Sequence, residues 1–497
     1  MNAKDFLNNV SKEIKYKPAN KYISDELESH IEELKNDNLC KGLSEEQAEE
    51  TAVEQMGDAK KIGKRLNRIH RPKLDWITLI FIFVFLWYGG NLGMIYYQVG
   101  WCDHPSEFTV NHYRIELLGM VVGILFSIFL VFFDYRKICK HSKLLYSLAT
   151  ILNIVAYFRG FRANGNLLYG LYPFTQTSPA VFSIPLYIIA FAGFFKDINK
   201  ESKINITISN GKKINSNIVI IIFLSIISVI TSLMINFVSG FLVAMVYLII
   251  TSRELLNKKQ YKKMGILIGS SIIIFALLSM IICIIPTREE HMWDNHHSAY
   301  WVGIDTRGER KIEFARGKLF EKAKIVGKAN LEEIYYIEKS YKGEYKSSIE
   351  GCFIYSDLFH FLGILSQYGW IASFAFAIIL LSFCIKLIIS VKKIKDTYGK
   401  LITIGITSLY IVQIVCNLAM NLGIIEVAEF DLPFISGSKA TIIMDMILMA
   451  LFLSVYRRKD INFEEPKKSK LATKIEDFLF EDVEENEEGV EVTNAYK

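Results

Sequence analysis

The chain has few of the residues that build disulfide frameworks, zinc sites or nucleic-acid surfaces. Its seven cysteines are scattered without a CxxC pair or a Cys/His ligand spacing, so neither a disulfide framework nor a zinc site is expected. Only Cys102 and Cys352 fall in segments that we place outside the membrane, and they are either a bridged pair or two free thiols. No basic patch with interleaved aromatic residues is present, which argues against nucleic acid as a partner.

A cleavable signal peptide is also missing, because residues 1–73 are polar and charge-rich. The rest of the chain is apolar. A content of 51% hydrophobic and 13% aromatic residues over 497 residues is typical of a membrane protein. About ten apolar runs approach the length needed to cross a ~30 Å hydrocarbon core. These predicted spans lie near residues 75–98, 116–133, 144–158, 179–195, 218–235, 236–251, 264–285, 369–390, 401–425 and 438–456.

Lysine and arginine are concentrated in alternate connections between these runs, and such residues favour the cytoplasmic side. The pattern predicts an all-α, polytopic membrane protein of about ten transmembrane helices with both termini in the cytoplasm. It leaves residues 286–356 as one large extracytoplasmic loop. Long loops on a packed scaffold are where function tends to lie.

The polar first segment, residues 1–73, has the pattern of a small helical cytoplasmic domain. Leu27, Ile31 and Leu34 recur at helical spacing, Ser44 and Gln47 fit a capping box, and Asp58 can cap a further helix. The segment resembles the permease prefix domain of some membrane proteins. We place the transmembrane domain at residues 74–459. Residues 460–497, which end in EDVEENEEGVEVTNAYK, form a tail predicted to be acidic, disordered and cytoplasmic.

The most specific motif lies near the end of the chain. Gln413 and Asn417 are followed by Met420, by Gly423 and then by the run LPFISG at residues 432–437. Upstream, residues 354–370 read IYSDLFHFLGILSQYGW, and residues 132–136 read FFDYR. These motifs resemble the SEDS family of FtsW, RodA and SpoVE. The resemblance covers roughly residues 75–458 and is strong from about residue 300 onward.

The resemblance implies a SEDS-like bundle in a bacterial cytoplasmic membrane. It implies a glycosyltransferase that polymerises the lipid-linked peptidoglycan precursor lipid II onto a glycan acceptor, in cell division, cell-shape control or sporulation. A class B penicillin-binding protein is the implied partner. Asp357 matches the family's T-D motif and is the candidate general base, because burial at a membrane boundary favours the neutral form of a carboxylate. The alternative is that Ser356 or Asp357 caps a helix.

Further candidate substrate-binding residues come from the C-terminal motif and from the arginines near predicted outer ends. They are Arg114, Arg159, Arg162, Gln413, Asn417, Ser436 and Lys439. The arginines could hold a phosphate or simply extend to the membrane interface. Lys439 and Asp445 are the ionisable residues of the last span. No cofactor is identified; acidic and histidine side chains within 289–297 could bind a divalent cation or form a solvated loop.

Charged positions of the family are replaced here, and this keeps other functions open. The family's Arg-Arg-Trp after Asn-Gly becomes Leu167, Leu168 and Tyr169, and its Glu-Glu becomes Ser366-Gln367. Such losses weaken the neutralisation of a diphosphate. The chain is therefore either a divergent enzyme or a catalytically inactive scaffold or regulator of the cell-wall machinery. A transporter of lipid-linked precursor is a further alternative, although the spans contain few ionisable groups.

Overall fold

The computed structural model describes most of the chain. The described residues are 2–70, 73–99, 121, 123–159, 161–163, 166–171, 174–197, 205–207, 213–257, 268–271, 273–278, 306–330, 335–340, 343–348, 358–425, 430–435 and 439–460. They belong to two compact units: residues 1–72 together with 458–497, and residues 73–457.

The N-terminal unit is a cluster of helices around its own core. Its helices are α1 (Ala3–Glu13), α2 (Lys17–Cys40), α3 (Glu45–Met56) and α4 (Ala59–His70). Ser44 and Gln47 form the predicted capping box, and the Asp58 carboxylate accepts a hydrogen bond from the Lys60 amide at 2.8 Å. The sequence analysis did not predict α1, although it supplies Phe6 and Val10, which are almost fully buried.

Two further contacts stabilise this unit: the close packing of α4 on α1, and a hydrogen bond from one C-terminal residue. A Cβ atom at Gly63 would lie 2.8 Å from Cβ of Glu13 and 2.9 Å from the Val10 carbonyl oxygen. Glycine at this position therefore lets α4 approach α1 closely. Arg458 is only 4% exposed and donates from Nε to the Tyr16 hydroxyl at 3.0 Å. Arg458 thus packs with the N-terminal unit, whereas the sequence-based boundary lies at residue 459.

The second unit is a bundle of mostly apolar helices. Its helices are α5 (Trp76–Val99), α6 (Gly123–Phe132), α7 (Arg136–Cys139), α8 (Ser142–Arg159), α9 (Ala180–Asp197), α10 (Ser216–Leu233), α11 (Phe237–Asn257), α12 (Ile268–Leu278), α13 (Thr306–Lys322), α14 (His360–Tyr368), α15 (Trp370–Lys392), α16 (Thr397–Asn421) and α17 (Lys439–Arg457). Each predicted span coincides at least in part with one of these helices. The helical membrane class is therefore confirmed, while the count of ten spans stays a prediction.

Three helices are both long and apolar enough to cross a membrane: Trp370–Lys392, Thr397–Asn421 and Ala440–Arg457. Other helices are apolar but shorter over their described residues, among them Ala180–Lys196 and Phe237–Arg253. Many large apolar side chains of the bundle are exposed, such as Phe83 and Phe158. Such an exposed apolar surface suits contact with lipid rather than water.

Short antiparallel strands lie in connections between helices, which the all-α prediction did not include. They are β1 (Phe161–Ala163), β2 (Asn166–Leu171), β3 (Phe174–Thr177), β4 (Asn205–Thr207), β5 (Lys213–Asn215), β6 (Tyr335–Ser340) and β7 (Gly343–Ser348). Strands β1 to β3 form one sheet in that order, β4 pairs with β5, and β6 pairs with β7. The predicted large loop thus contains both helix α13 and the β6–β7 hairpin.

The DYR motif at residues 134–136 joins two parts of the bundle. The Arg136 guanidinium donates to both carboxylate oxygens of Asp134, from Nε at 2.9 Å and from Nη2 at 2.6 Å. The Tyr135 hydroxyl donates to the Asp396 carboxylate at 2.8 Å, and Asp396 caps the start of α16. Burial, helped by the charge of Asp396, raises the pKa of Tyr135 well above its ordinary value. Tyr135 therefore remains a hydrogen-bond donor to the base of α16.

The start of α5 is attached to α15 by a buried ion pair. Asp75 is 5% exposed and accepts hydrogen bonds from the Thr78 hydroxyl at 2.9 Å and from the Lys386 ammonium. Lys386 also donates to the Ser390 hydroxyl at 2.8 Å. Because both charges are paired and hydrogen-bonded, this contact orients α5 without leaving an isolated charge in the apolar bundle.

The segment after α13 is held against the junction between α14 and α15. Four backbone hydrogen bonds join residues 324–329 to residues 366–371, including Trp370 N–H to the Lys324 carbonyl at 3.0 Å and Ala329 N–H to the Ser366 carbonyl at 2.8 Å. Gly369 lies at this junction with φ +89° and ψ −176°, a conformation open mainly to glycine. This pairing fixes α13 beside the C-terminal end of α16, where Arg316 donates to the Met420 carbonyl at 3.1 Å.

Candidate functional site

Two asparagines on α16 hold the segment that begins at Leu358. The Asn417 amide donates to the Leu358 carbonyl at 3.0 Å and to the Phe430 carbonyl at 2.7 Å. One turn later, the Asn421 amide donates to the same Leu358 carbonyl at 3.0 Å. Both asparagines are fully buried. The backbone carbonyl next to Asp357 is therefore fixed on α16 by two side chains.

The asparagines are also bonded to each other and to α14. Asn421 donates to the Asn417 carbonyl at 2.9 Å and to Asn417 Oδ1 at 3.2 Å. The Leu362 amide donates to Asn421 Oδ1 at 3.4 Å. Because donors and acceptors of both amides are engaged, the network fixes their orientation in an apolar surrounding.

The turn at residues 432–435 has an unusual backbone conformation. Phe434 is fully buried and has φ +65°, in the left-handed region that non-glycine residues seldom occupy. Its amide donates to Asp445 Oδ2 at 3.0 Å, and the Tyr410 hydroxyl donates to the Asp445 carbonyl at 3.1 Å. The Asp445 carboxylate on α17 thus stabilises this conformation of the turn.

Helix α5 packs directly on the same turn. A Cβ atom at Gly89 would lie 2.9 Å from the Phe434 carbonyl oxygen and 3.1 Å from Cα of Ile435. Glycine at this position lets the helix approach the backbone of the turn. Helices α5, α16 and α17 therefore fix the LPFI residues in one place.

A cavity of about 110 Å³ lies in the bundle beside this turn. It is lined by Ser178, Ala180, Val181, Ile184, Pro185, Asn236, Val238, Ser239, Leu242, Leu409, Gln413, Asp431, Thr441, Met444, Asp445 and Leu448. Gln413 lies one helical turn before Asn417. The cavity therefore lies next to the asparagine network.

Several buried polar atoms of the cavity lining have no hydrogen-bond partner among the described residues. Gln413 Oε1, Thr441 Oγ1 and Ser178 Oγ are buried atoms without a hydrogen-bond partner among the described residues. Buried polar atoms are normally paired, so such groups suit a bound polar molecule or water. The lining includes two carboxylates, Asp431 and Asp445, but its residues as described include no lysine or arginine. The cavity can therefore offer hydrogen bonds to hydroxyl and amide groups rather than positive charge to a phosphate.

Only part of the predicted site can be placed. Asp357, Ser436 and Arg114 lie outside the described residues. Arg162 is in β1 and Lys439 begins α17, but their side chains are not described. Arg159 ends α8, is exposed, and is not among the residues that line the cavity. The structure brings together Gln413 and Asn417, and these two alone of the predicted substrate-binding side chains are described in the site.

Other early candidates fall outside the described part as well. Residues 289–297, Cys102 and Cys352 belong to this group. Among the described residues, no three histidine, cysteine, aspartate or glutamate side chains lie close enough to hold a metal ion. Helix α14 begins at His360 with Phe359 as its N-cap residue and no side-chain cap. His360 is buried, with its ring centre 6.0 Å from that of Tyr88.

The sequence analysis missed Asn421 and Asp431. Asn421 follows Asn417 by four residues and so shares its helix face, which was a usable signal. Asp431 directly precedes the LPFI run and gave no signal of its own. Asp445 was singled out as an ionisable residue within a predicted span. The hydrogen bond that it accepts from the Phe434 amide explains why a carboxylate is buried there.

A family model described as cell cycle protein, of the FtsW, RodA and SpoVE type, matches residues 356–461. This part of the chain belongs to the FtsW/RodA/SpoVE family. The FtsW/RodA/SpoVE segment contains the asparagine network, the turn at Phe434 and the Asp445 carboxylate. It thus contains most of what fixes the site. No curated protein sequence matches the chain.

Two solved structures align with most of the chain at low sequence identity. A chain of a peptidoglycan synthase complex, described for its coordination of polymerization and crosslinking, aligns with a TM-score of 0.52 and 14% identity. The alignment covers 79% of this chain and 99% of that chain. The rod shape determining protein RodA of Thermus thermophilus aligns with a TM-score of 0.47 and 13% identity over 79% of this chain and 98% of that chain. The bundle therefore has the fold of that chain of the peptidoglycan synthase complex.

Proposed function

We propose that this chain is a divergent membrane glycosyltransferase that polymerises lipid II in the bacterial cytoplasmic membrane. Asp357 acts as the general base that takes the proton from the attacking sugar hydroxyl. Residues 286–356 lie on the outer side, where the reaction occurs, and both termini lie in the cytoplasm. The family match at residues 356–461 and the shared fold support this proposal.

The observation that carries the proposal is the double anchoring of the Leu358 carbonyl. A base must be placed within hydrogen-bond reach of the proton that it removes. Asp357 is joined covalently to Leu358, whose carbonyl is held by Asn417 and Asn421 at 3.0 Å each. Two hydrogen bonds from buried side-chain amides to one backbone carbonyl are not required to end a loop. They suit a segment that must hold a catalytic residue in a fixed position.

The cavity beside this network is a place for the polar part of a substrate. Gln413, Thr441 and Ser178 present oxygen atoms without partners among the described residues. These groups and the carboxylate of Asp431 match sugar hydroxyl and amide groups. Lipid II and the glycan acceptor supply both kinds of group. A class B penicillin-binding protein remains the partner that the family resemblance implies.

The absence of cations from the described lining favours one alternative, a non-enzymatic scaffold of the cell-wall machinery. A diphosphate needs cations or a metal to neutralise its charge. The cavity lining as described offers carboxylates, amides and hydroxyls only. If the enzyme is active, the diphosphate is neutralised by groups outside this lining, for which Arg114, Arg159, Arg162 and Lys439 stay the candidates.

A polymerisation assay separates the two functions. The full-length chain is reconstituted with its candidate class B penicillin-binding protein and given lipid II, and glycan chains are measured. We expect product from the wild type and a loss of about 10²-fold or more in Asp357→Asn, because a general base contributes that much to a rate. Glu321→Gln is the matched control, since this exposed carboxylate belongs to the same predicted loop.

The outcomes are distinct. Equal product from wild type and Asp357→Asn would remove Asp357 as the base. No product from either protein, while a known family enzyme is active under the same conditions, would favour the scaffold. Unchanged activity in Glu321→Gln is required for the effect at Asp357 to be specific.

A further inference from the structure

A stripe of positive charge lies along helix α4 of the N-terminal unit. Five cations follow the helix, and at 3.6 residues per turn they fall within about 140° of its circumference. They are Lys60, Lys61, Lys64, Arg65 and Arg68. We call these five residues the basic stripe. One side of α4 is therefore entirely basic.

The other side of α4 belongs to the core of the unit. Ala59 is buried, Ile62 and Leu66 pack against the core, and Gly63 makes the close approach to α1. This packing fixes the rotation of α4, so the basic stripe must point away from the core. All five cations are exposed. Among the described residues, none of them forms an ion pair or hydrogen bond through its side chain.

Carboxylates are present in the same unit, but among the described residues none of them forms an ion pair with the basic stripe. Exposed Glu26, Glu28, Glu32 and Glu33 belong to α2, and Lys35 pairs with Glu45 at 2.9 Å. The unit thus separates an acidic helix from a basic one. A separation of this kind leaves the basic stripe available for an external anionic surface.

The position of α4 in the chain indicates which surface that is. Helix α4 ends at His70 and the apolar helix α5 begins at Trp76. The six steps between these residues reach at most about 22 Å, at 3.3–3.6 Å per residue. Two of the intervening residues, Arg71 and Lys73, add further positive charge. The basic stripe is therefore tethered close to the membrane surface by the chain itself.

We propose that the basic stripe of α4 binds the anionic lipid headgroups of the leaflet from which α5 enters the membrane. Clustered lysine and arginine next to a membrane helix are attracted by the negative potential of such a leaflet, which falls off within about a Debye length of the surface. Lipid binding would fix the orientation of the N-terminal unit on the membrane. This inference does not depend on the proposed enzymatic activity.

Lysine footprinting of the full-length protein tests the proposal. The protein is placed in nanodiscs of phosphatidylcholine alone or of phosphatidylcholine mixed with phosphatidylglycerol. It is treated with a membrane-impermeant acetylating reagent, and acetylation at each lysine is followed by mass spectrometry. Lys60, Lys61 and Lys64 report on the basic stripe, while Lys4, Lys12, Lys15 and Lys41 are exposed lysines elsewhere in the same unit and serve as internal controls.

We expect phosphatidylglycerol to slow acetylation of the three stripe lysines about five-fold and to leave the control lysines unchanged. High salt should abolish this protection, because it screens exposed charges. Equal acetylation of the stripe lysines in both nanodiscs would overturn the proposal. Protection that is already present in phosphatidylcholine and disappears when residues 461–497 are deleted would also overturn it, since the acidic tail would then be the occupant.

A pair of matched variants strengthens the test. K60Q/K61Q/K64Q/R68Q removes four cations from the stripe, and K4Q/K12Q/K15Q/K41Q removes four cations from other surfaces of the unit. In three versions of the first variant, each with one stripe lysine restored, acetylation of that lysine should no longer depend on phosphatidylglycerol. In the second variant the protection of Lys60, Lys61 and Lys64 should persist. Loss of protection in both variants would mean that protection depends on the net charge of the unit and not on the basic stripe, and would contradict the proposal.

Discussion

At the scale of single residues, the site depends on a few buried polar side chains with defined partners. Asn417 and Asn421 fix the Leu358 carbonyl, and Asp445 fixes the left-handed Phe434. A residue with positive φ costs roughly 1–3 kcal/mol and persists only when its surroundings hold it. The Asp445 carboxylate is one such support, because it accepts the Phe434 amide in a fully buried place.

Asp445→Ala tests this support. Removal of the carboxylate leaves the Phe434 amide without its acceptor, so we expect the free energy of unfolding to fall by about 1–3 kcal/mol. Asp445→Asn keeps an acceptor oxygen and should cost less than about 1 kcal/mol. Thermal unfolding of both variants in detergent provides the comparison. Equal destabilisation by the two substitutions would show that charge, rather than the hydrogen bond, is what the turn requires.

At the scale of elements, the segment after α13 is fixed to the α14–α15 junction by backbone pairing at Gly369. Gly369 lies within the run at residues 354–370 that resembles the family, but the run does not explain why this residue is a glycine. The explanation needs residues 324–327, which are some 40 positions away, and a turn with φ +89°. Pairing between distant segments is not encoded in local periodicity, so it could not be predicted from the sequence.

Gly369→Ala tests the junction. An added Cβ would lie 2.6 Å from the Lys324 carbonyl oxygen, and the backbone conformation itself disfavours alanine. We expect the substitution to destabilise the protein by at least about 2 kcal/mol. Gly317→Ala is the matched control, because its Cβ meets nothing within 4 Å and alanine favours the helix by about 1 kcal/mol. A lower midpoint of thermal unfolding is predicted for the first variant only.

The helices themselves were largely predictable. Apolar runs indicated α5, α6, α8 to α12 and α15 to α17, whereas α7, α13 and α14 lie outside these runs and were not predicted. The capping residues Ser44 and Asp58 indicated two helix starts in the N-terminal unit. Helix α1 was missed because it is short and mostly polar, with Phe6 and Val10 as its buried residues. The short β-strands were missed because three to six residues in a connection leave no readable alternation.

At the scale of the whole molecule, the FtsW/RodA/SpoVE segment contains the parts that fix the site, and the N-terminal unit brings a separate charged surface. The cavity could not be predicted, because its lining comes from α9, α11, α16, α17 and from the connections before α9, after α10 and after α16. Gln413 and Asn417 were foreseen through their motif, and Asp445 was singled out as a charge within the last span. Residues such as Ser178 and Thr441 lack any local signal and become visible only when the helices are assembled.

The measurement that tests the proposed site most directly is glycan synthesis by Asn417→Ser. It is made with lipid II at a temperature where thermal unfolding shows the variant to be folded. Loss of the Asn417 amide frees one of the two donors to Leu358, and a small displacement of a catalytic group can slow a reaction by about 10²-fold. We therefore predict a rate reduced to that extent, with Gly317→Ala unchanged. Glycan synthesis by folded Asn417→Ser at the wild-type rate would contradict the role of the Leu358 anchor in catalysis.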